Sequence, residues 1–435
     1  MKTLKVALLG AGNVGSQVAR ILLDDAGELA GRTGARLELA GIAVRDVDAP
    51  RAVELPRELL TTDAEALVDS ADIVIELMGG LEPAGTLIRR AIAAGATVVS
   101  GNKALLAAQL PELSELADAA GVQLSYEAAV AGAIPILRPI RDSLSGDRIT
   151  KVMGIVNGTT NFILDAMDTT GAQFGDVLAE AQRLGYAEAD PTADVEGHDA
   201  AAKAAILASL SFHTRFDLSA VHCEGITSVT ADDVAAASDA GMVIKLLAIA
   251  ERLVDEAGHE GIGVRVHPTL LPRSHPLAAV HGAFNAVFVE AENAGELMFY
   301  GQGAGGSPTA SAVLGDVVSA ARRVVVGGRG RTETTSGALA ALPIEQATTS
   351  YAISLDVSDE TGVLASIASI FARHGVSIET MRQSTHPDTA AEKGFATLRF
   401  VTHTGRESAL AATVKDIAAL PVVQKITSVL RVEGN

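Results

Sequence analysis

Tryptophan is absent from this chain, and only 3% of its 435 residues are aromatic. The core cannot be organised around large rings. It has to be built from Ala, Val, Leu and Ile, as in α/β proteins with buried parallel strands. Cysteine occurs once, as Cys223, which excludes an intrachain disulfide framework and a Cys-rich metal site. Positive charge is scarce: 34 Lys and Arg face 53 Asp and Glu, a formal net charge of −19. Nucleic acid and anionic membrane are therefore poor partners, and a soluble protein is expected. No apolar run reaches the length of a membrane span. The N-terminus, MKTLKVALLGAGNVG, passes straight into a strand and a glycine turn without a signal-peptide cleavage region. The cytoplasm is the expected compartment.

What the chain has instead is apolar residues, 48% of the total, and enough length for two or three domains. Lys5–Leu9, Arg36–Val44, Ala71–Leu77, Thr97–Ser100 and Val122–Tyr126 read as strands. Asn13–Leu23, Glu82–Ala94 and Lys103–Ala120 read as helices between them. Such alternation predicts βαβ units and a parallel sheet. Beyond Ala133 the pattern changes. Arg148–Val156, Val264–Leu271 and Ala283–Glu290 are strand-like. Asn161–Gly171, Phe174–Leu184, an alanine-rich stretch Val195–His213, and Ala231–Leu253 are expected helices. YGQGAGGSPTASAVLGDVVSAARR then returns through a glycine turn into another helix. Gly327–Ser350, rich in Gly, Thr, Ser and Ala, reads as a linker. The remainder has the order βαββαβ, a ferredoxin-like unit. The expected fold class is α/β: a Rossmann-type parallel-sheet domain, a middle α+β domain, and a C-terminal ferredoxin-like βαββαβ domain. The expected boundaries are 1–132 (completed by a helix around 303–326), 133–302, a linker 327–349, and 350–435.

Gly10-Ala11-Gly12-Asn13-Val14-Gly15 matches G-x-G-x-x-G, follows a strand and opens a helix. Alone the match is weak; in that context it points to a dinucleotide. The first glycine permits the turn, the second lets backbone approach the pyrophosphate, and the third lets helix and strand pack closely. The second strand ends LAGIAVRD, placing Arg45 where an acid commonly holds the ribose of NAD. Arginine there suits a 2′-phosphate and favours NADP, although Asp46 could still serve NAD.

The stretch LGYAEADPTADVEGHDAAAKAAILASL collects Glu188, Asp190, Asp194, Glu196 and Asp199 ahead of one lysine, Lys203. Asp199 and Lys203 are four apart and share a helical face with Ile206 and Leu210, so the amine lies on the stripe expected to be buried. A buried amine needs a carboxylate partner, and Asp199 supplies one. Together with Glu188 and Asp194, these groups suit an amino-acid substrate carrying a reducible carbonyl: acids for the ammonium, a lysine to protonate the carbonyl oxygen. The plainer alternative is a surface i, i+4 ion pair. A second lysine, Lys103, follows Asn102 just past the C-terminal end of a parallel strand, the edge at which open α/β sheets bind ligands.

These residues resemble the homoserine dehydrogenase family in its monofunctional form with a C-terminal ACT domain. The resemblance spans nearly the whole chain: GAGNVG, SGNKALLA, YEAAVAGAIPI, GIVNGTTNFIL, GYAEADPTADVEGHDAAAKAAIL and YGQGAGGSPTASAV. It implies reversible reduction of L-aspartate 4-semialdehyde to L-homoserine with NAD(P)H. It implies Lys203 as catalytic proton donor with Asp199 beside it, Glu188 and Asp194 as substrate-site acids, and Lys103 near nicotinamide and substrate. It places Gly303 close to the cofactor. Glu127, Val130, Gly132 and Ile134 are implied as a monovalent cation site, for Na+, made largely of backbone carbonyls. A homodimer or higher assembly is also implied, with no kinase domain ahead of the glycine turn.

The C-terminal SLDVSDETGVLASIASIFARHGVSIETMRQ resembles the ACT signature. The resemblance implies L-threonine as a feedback effector at Asp359, Thr361, Gly362 and Val363; a purely structural, dimerising unit is the alternative. Prephenate and phosphoglycerate dehydrogenases pair similar domains but do not need the acid cluster. Aspartate-semialdehyde dehydrogenase would need an activated cysteine, and Cys223 in VHCEG has no evident activation. A nucleotide-sensing regulator would need a partner- or DNA-binding element. The histidines, His198 included, show no metal-ligand spacing.

Overall fold

A computed structural model of the chain describes residues 1–51, 53–328, 337–386 and 394–434. They form two compact units. The first comprises Met1–Gly158, Asp199–Val221 and Ala283–Leu339. Its centre is a six-stranded parallel sheet of β1 (Lys2–Leu9), β2 (Ala35–Ala43), β3 (Leu60–Thr61), β4 (Ile73–Glu76), β5 (Thr97–Ser100) and β6 (Leu124–Ser125). The strand order is β3-β2-β1-β4-β5-β6, so the chain reverses direction across the sheet beside β1. That switch point is where such sheets bind dinucleotides. α1 (Asn13–Asp24), α2 (Ala26–Thr33), α3 (Ala64–Asp69), α4 (Ala84–Ala93) and α5 (Lys103–Ala120) connect the strands.

Burial on both faces explains the apolar strands. Leu4, Val6 and Leu8 of β1 are fully buried, in one core with Val18 and Leu22 of α1. A distant helix, Gly306–Val326, packs into the same core through Ala310, Val313, Val317, Ala320 and Ala321. Its alanines let the helix axis approach α1 closely. The unit also holds an antiparallel sheet of Ile149–Ile155, Phe284–Ala291 and Gly295–Gln302. The expected helix Val195–His213 is broken at Gly197: a short turn Thr192–Val195 precedes the helix His198–Ser211, which apart from His198 belongs to this unit.

The second unit comprises Thr159–His198, His222–Gly282 and Ala340–Asn435. Here one expectation fails. Ala231–Leu253 is not one helix: the helix Ala231–Asp239 stops at a turn through Gly241 (φ 72°), and Met242–Val254 is a strand paired antiparallel with Glu260–Pro272. The sequence MVIKLLAIA is buried at nearly every position, so it carries neither the two-residue nor the 3.6-residue period and the residues alone do not separate the two states. C-terminally, strands run in the order Val423–Val432, Thr348–Ser358, Phe395–Thr402, Ile378–His386, all antiparallel. The helices Val363–Arg373 and Glu407–Ala418 cover one face of that sheet, over a core that includes Leu355, Ile367, Phe371, Phe400 and Leu410. This is the βαββαβ arrangement expected. Of the expected linker, residues 329–336 lie outside the described residues. Ala340–Ala341 pairs with Gly261–Ile262.

Buried charge knits this unit together. Arg265, 2% exposed, pairs with Glu251 and, at 2.7 Å, with Glu433. Arg431 pairs with Glu407 at 2.6 Å and Glu224 at 3.0 Å. Such charges are tolerated in an interior only when paired.

Candidate functional site

The glycine turn follows β1 as expected. Gly10 sits at φ 99°, and a Cβ there would lie 2.8 Å from the Leu77 carbonyl oxygen. A Cβ on Gly15 would lie 2.0 Å from the Gly10 carbonyl oxygen, so both positions exclude a side chain. Gly12 faces open space, with no atom within 4 Å of its would-be Cβ. Asn13 and Val14 begin α1, whose first turn contains no acid and whose N-cap, Gly12, has no capping side chain. Its amide N–H groups and dipole therefore remain available to an anion. Gly306, at the start of the helix Gly306–Val326, packs directly on Asn13. Past the end of β2, Arg45 is exposed and has no ion-pair or hydrogen-bond partner among the described residues. Asp46 is engaged in its own loop: its carboxylate accepts from the Asp48 N–H and its carbonyl from Arg51.

The loops after β4 and β5 build one wall of a cavity of about 330 Å³, lined among others by Gly80, Asn102, Lys103, Gly132, Lys203 and Gly303. Asn102 caps α5, its Oδ1 accepting from the Leu105 N–H at 3.2 Å and its Nδ2 donating to the Gly80 carbonyl at 2.7 Å. The cap fixes Lys103 as the first residue of the helix. Beneath it lies Glu76, fully buried at the end of β4 and unremarked in the sequence. Its carboxylate accepts from Ser100 Oγ and the Met78 N–H, each at 2.8 Å. Burial pushes the Glu76 carboxyl above its ordinary value, against those hydrogen bonds. The only sequence signal is an acid inside an apolar strand, ADIVIEL.

Asp199 joins the two lysines. Its carboxylate accepts from Lys203 Nζ at 2.7 Å, from Asn157 Nδ2 at 2.9 Å, and from Lys103 Nζ. Lys203 Nζ donates also to the Val156 carbonyl at 2.6 Å. Asp199 is 7% exposed and Lys203 8%. Burial would raise the Asp199 carboxyl; the Lys203 and Lys103 ammonium groups outweigh it and hold the acid well below the usual carboxylate range. The surface ion-pair alternative is thereby excluded for Lys203. Lys103, by contrast, is half exposed. Its contact with Asp199 spans 96 positions.

Ala131 and Gly132 both adopt left-handed backbone, φ 57° and 58°. For Ala131, which has a Cβ, this is strain of the kind that clusters at ligand sites. A Cβ on Gly132 would lie 2.3 Å from the Gly303 carbonyl oxygen, so the two glycines touch directly. Gly303 in turn rests on Asn285: a Cβ would lie 2.1 Å from its Cγ. The Glu127 carboxylate accepts from the Leu137 and Arg138 N–H groups at 2.8 and 2.9 Å and from Arg138 Nε at 3.1 Å. That side chain is committed to structure, leaving main-chain carbonyls of Glu127, Val130, Gly132 and Ile134 as the donors a hard cation would find. Among the described residues no cluster of His, Cys, Asp or Glu could hold a metal.

The remaining candidates belong to the second unit. Glu188 is exposed, and Asp194 is half-buried in the turn Thr192–Val195. Asp359, Thr361 and Gly362 are exposed at the start of the helix Val363–Arg373, whereas the Val363 side chain points into the core. Cys223 donates to the Glu196 carbonyl, and burial, with Glu224 and Glu196 nearby, pushes its thiol up, away from nucleophilic chemistry.

A doubly wound sheet with its glycine turn at the switch point, and ammonium groups at the wall of a cavity in the same unit, are the arrangement of a dinucleotide-dependent enzyme. Residues 10–127 match the NAD-binding domain of homoserine dehydrogenase, residues 135–318 the homoserine dehydrogenase family model, and residues 351–422 the ACT domain. The chain is 56% identical to a homoserine dehydrogenase of Corynebacterium glutamicum over 430 residues, 98% of this chain and 95% of that protein. It is 53% identical over 435 residues to one of Mycobacterium tuberculosis, 100% of this chain and 98% of the other. The crystal structure of a homoserine dehydrogenase from Thiobacillus denitrificans superposes with a TM-score of 0.91 at 40% identity, covering 100% of this chain and 99% of that one. A hyperthermophilic archaeal homoserine dehydrogenase in complex with NADPH superposes with a TM-score of 0.61 at 25% identity, over 76% of this chain and 100% of that one. The chain belongs to the homoserine dehydrogenase family. No helix among the described residues is long and apolar enough to cross a membrane.

Proposed function

We propose that this chain reduces L-aspartate 4-semialdehyde to L-homoserine, reversibly, with Lys203 as proton donor. The observation that carries this reading is the Asp199 carboxylate shared by Lys203 and Lys103 at the cavity wall. The nicotinamide supplies the hydride. Lys203 protonates the carbonyl oxygen, and Asp199 keeps it cationic and fixed in direction, helped by the Val156 carbonyl. Lys103 draws the carbonyl oxygen and keeps the loop after β5 on the substrate. Gly10, Gly12, Asn13, Val14 and Gly15 hold the pyrophosphate, Arg45 a 2′-phosphate, and Gly303 the nicotinamide end, so NADPH is the preferred reductant. The carbonyls of Glu127, Val130, Gly132 and Ile134 hold a Na+ ion that stiffens the strained loop beside Gly303.

The functional division follows the chain: 1–132 with the helix near 303–326 for nucleotide, 133–302 for catalysis and dimerisation, and 350–435 for regulation by L-threonine at Asp359, Thr361, Gly362 and the Val363 main chain. The working form is a homodimer or homotetramer in the cytoplasm. Turnover of NADPH and aspartate semialdehyde should fall at least ~100-fold in Lys203→Ala, as for loss of a general acid. Because both ammonium groups rest on one carboxylate, a second reading exchanges the lysines: Lys103→Ala would then carry the larger loss, and Lys203→Ala would keep near-normal turnover.

A further inference from the structure

Glu76 ends β4 fully buried, the one acid of the strand IVIE. No Lys, Arg or His pairs with it among the described residues. The hydrogen bonds around its carboxylate are ones it accepts. Oε1 takes the Met78 N–H at 2.8 Å and lies 3.4 Å from Asn102 Nδ2; Oε2 takes the Ser100 hydroxyl at 2.8 Å; the Gly79 N–H adds to them. Donors on every side match the ionised form, which only accepts. A buried carboxylate without a cation is a costly choice for a strand, and an apolar residue of like size would serve stability as well. Such departures from local consistency mark functional sites.

The donors come from two different loops. Met78 and Gly79 follow β4, whereas Ser100 ends β5 and Asn102 lies in the loop after it. The first loop carries two successive glycines in left-handed backbone, Gly79 at φ 73° and Gly80 at φ 75°, and has little stiffness of its own. Ser100 Oγ, while donating to Glu76, accepts the Asn102 N–H at 3.1 Å. Asn102 Nδ2 reaches across to the Gly80 carbonyl at 2.7 Å. The Gly101 N–H donates to the Glu76 main-chain carbonyl at 3.1 Å, and a Cβ on Gly101 would lie 2.8 Å from Leu77 Cδ2, so the two loops touch. Because Asn102 caps α5, whatever fixes Asn102 also fixes Lys103, the first residue of that helix. Gly79, Gly80, Gly101, Asn102 and Lys103 all line the cavity, and Glu76 ties them from outside the lining.

We propose that Glu76 is a positioning residue for the reaction: its carboxylate locks the loops after β4 and β5 together and so sets the place from which Lys103 reaches into the cavity. The inference rests on the role given above to Lys103. A double-variant cycle on the full chain tests it, with steady-state reduction of the semialdehyde by NADPH measured well below the melting temperature of every variant. Glu76→Gln keeps the size of the side chain but turns an amide NH2 towards donors. With Lys103 present it should lower kcat/KM for the semialdehyde at least ~10-fold, the scale of losing a hydrogen bond to a charged group. With Lys103→Ala already in place it should cost less than ~2-fold, because residues that act through one another are not additive. Ser100→Ala removes one donor and leaves the charge; it should show the same dependence on Lys103 with a loss of at least ~3-fold, and it decides the matter if Glu76→Gln does not fold. Equal losses with and without Lys103 would make Glu76 a merely structural acid and overturn the proposal. Lys103→Ala at the wild-type rate would sink the role of Lys103 and the inference with it, whereas a slow Lys103→Ala beside an unimpaired Glu76→Gln would sink the inference alone.

Discussion

Replacing Asp199 with Asn leaves the shape of the site and removes the carboxylate that Lys203 and Lys103 share. Lys203 then keeps the Val156 carbonyl and meets an amide oxygen where the carboxylate stood. Removing one member of a buried ion pair costs about 3–5 kcal/mol. The amide retains one acceptor oxygen, so the lower end, about 3 kcal/mol, applies. For a cooperative unit of roughly 150–250 residues that lowers Tm by about 6–12 °C at pH 7. The pH dependence carries a sign. Asp199 is held below its ordinary value in the folded chain. Its contribution is complete above the unfolded carboxylate value, near ~3.9, and is lost as pH falls through the depressed folded value. The Tm gap between wild type and Asp199→Asn should therefore be constant from pH 8 to 5 and close only in strong acid. The double variant Asp199→Asn, Lys203→Met should regain most of the lost stability, because the ammonium that lost the Asp199 carboxylate is gone, while turnover stays at least ~100-fold down. Differential scanning calorimetry and steady-state rates decide. A double variant no more stable than Asp199→Asn alone would refute the buried-pair reasoning.

Gly15→Ala sets a Cβ 2.0 Å from the Gly10 carbonyl oxygen, so α1 must shift; a Kd for NADPH raised at least ~10-fold, by fluorescence titration, is expected from losing the close backbone approach. Arg45→Glu should lower the ratio of kcat/KM for NADPH over NADH by at least ~10-fold, since it opposes a 2′-phosphate. Gly303→Ala would drive a methyl into Asn285, 2.1 Å away at Cγ, and displace the cavity wall shared with Gly132; kcat/KM should fall with little change in pyrophosphate binding, read from ADP-ribose competition.

The parts of this molecule legible from its residues are those written locally. The glycine turn and the i, i+4 pair Asp199 and Lys203 each depend on neighbours a few positions away, and the parallel sheet follows from alternation. Where burial is uniform, as in Met242–Val254, no period survives and helix and strand look alike. α2, with two glycines in AGELAGRT, is a helix sustained by packing rather than propensity, and was not foreseen. Nor was the exposed edge strand Gly295–Gln302, in which LMFY shows no two-residue alternation although the backbone does. The meeting of Lys103 with Asp199, and the stack of Gly132, Gly303 and Asn285, join residues far apart in the chain, so no local pattern reveals them.

The most direct measurement is the reaction itself. Purified chain, NADPH and L-aspartate 4-semialdehyde should give stoichiometric NADPH oxidation and L-homoserine, identified by mass, with the reverse reaction visible from L-homoserine and NADP+. Semialdehyde left unreduced, with NADPH tightly bound, would contradict the account.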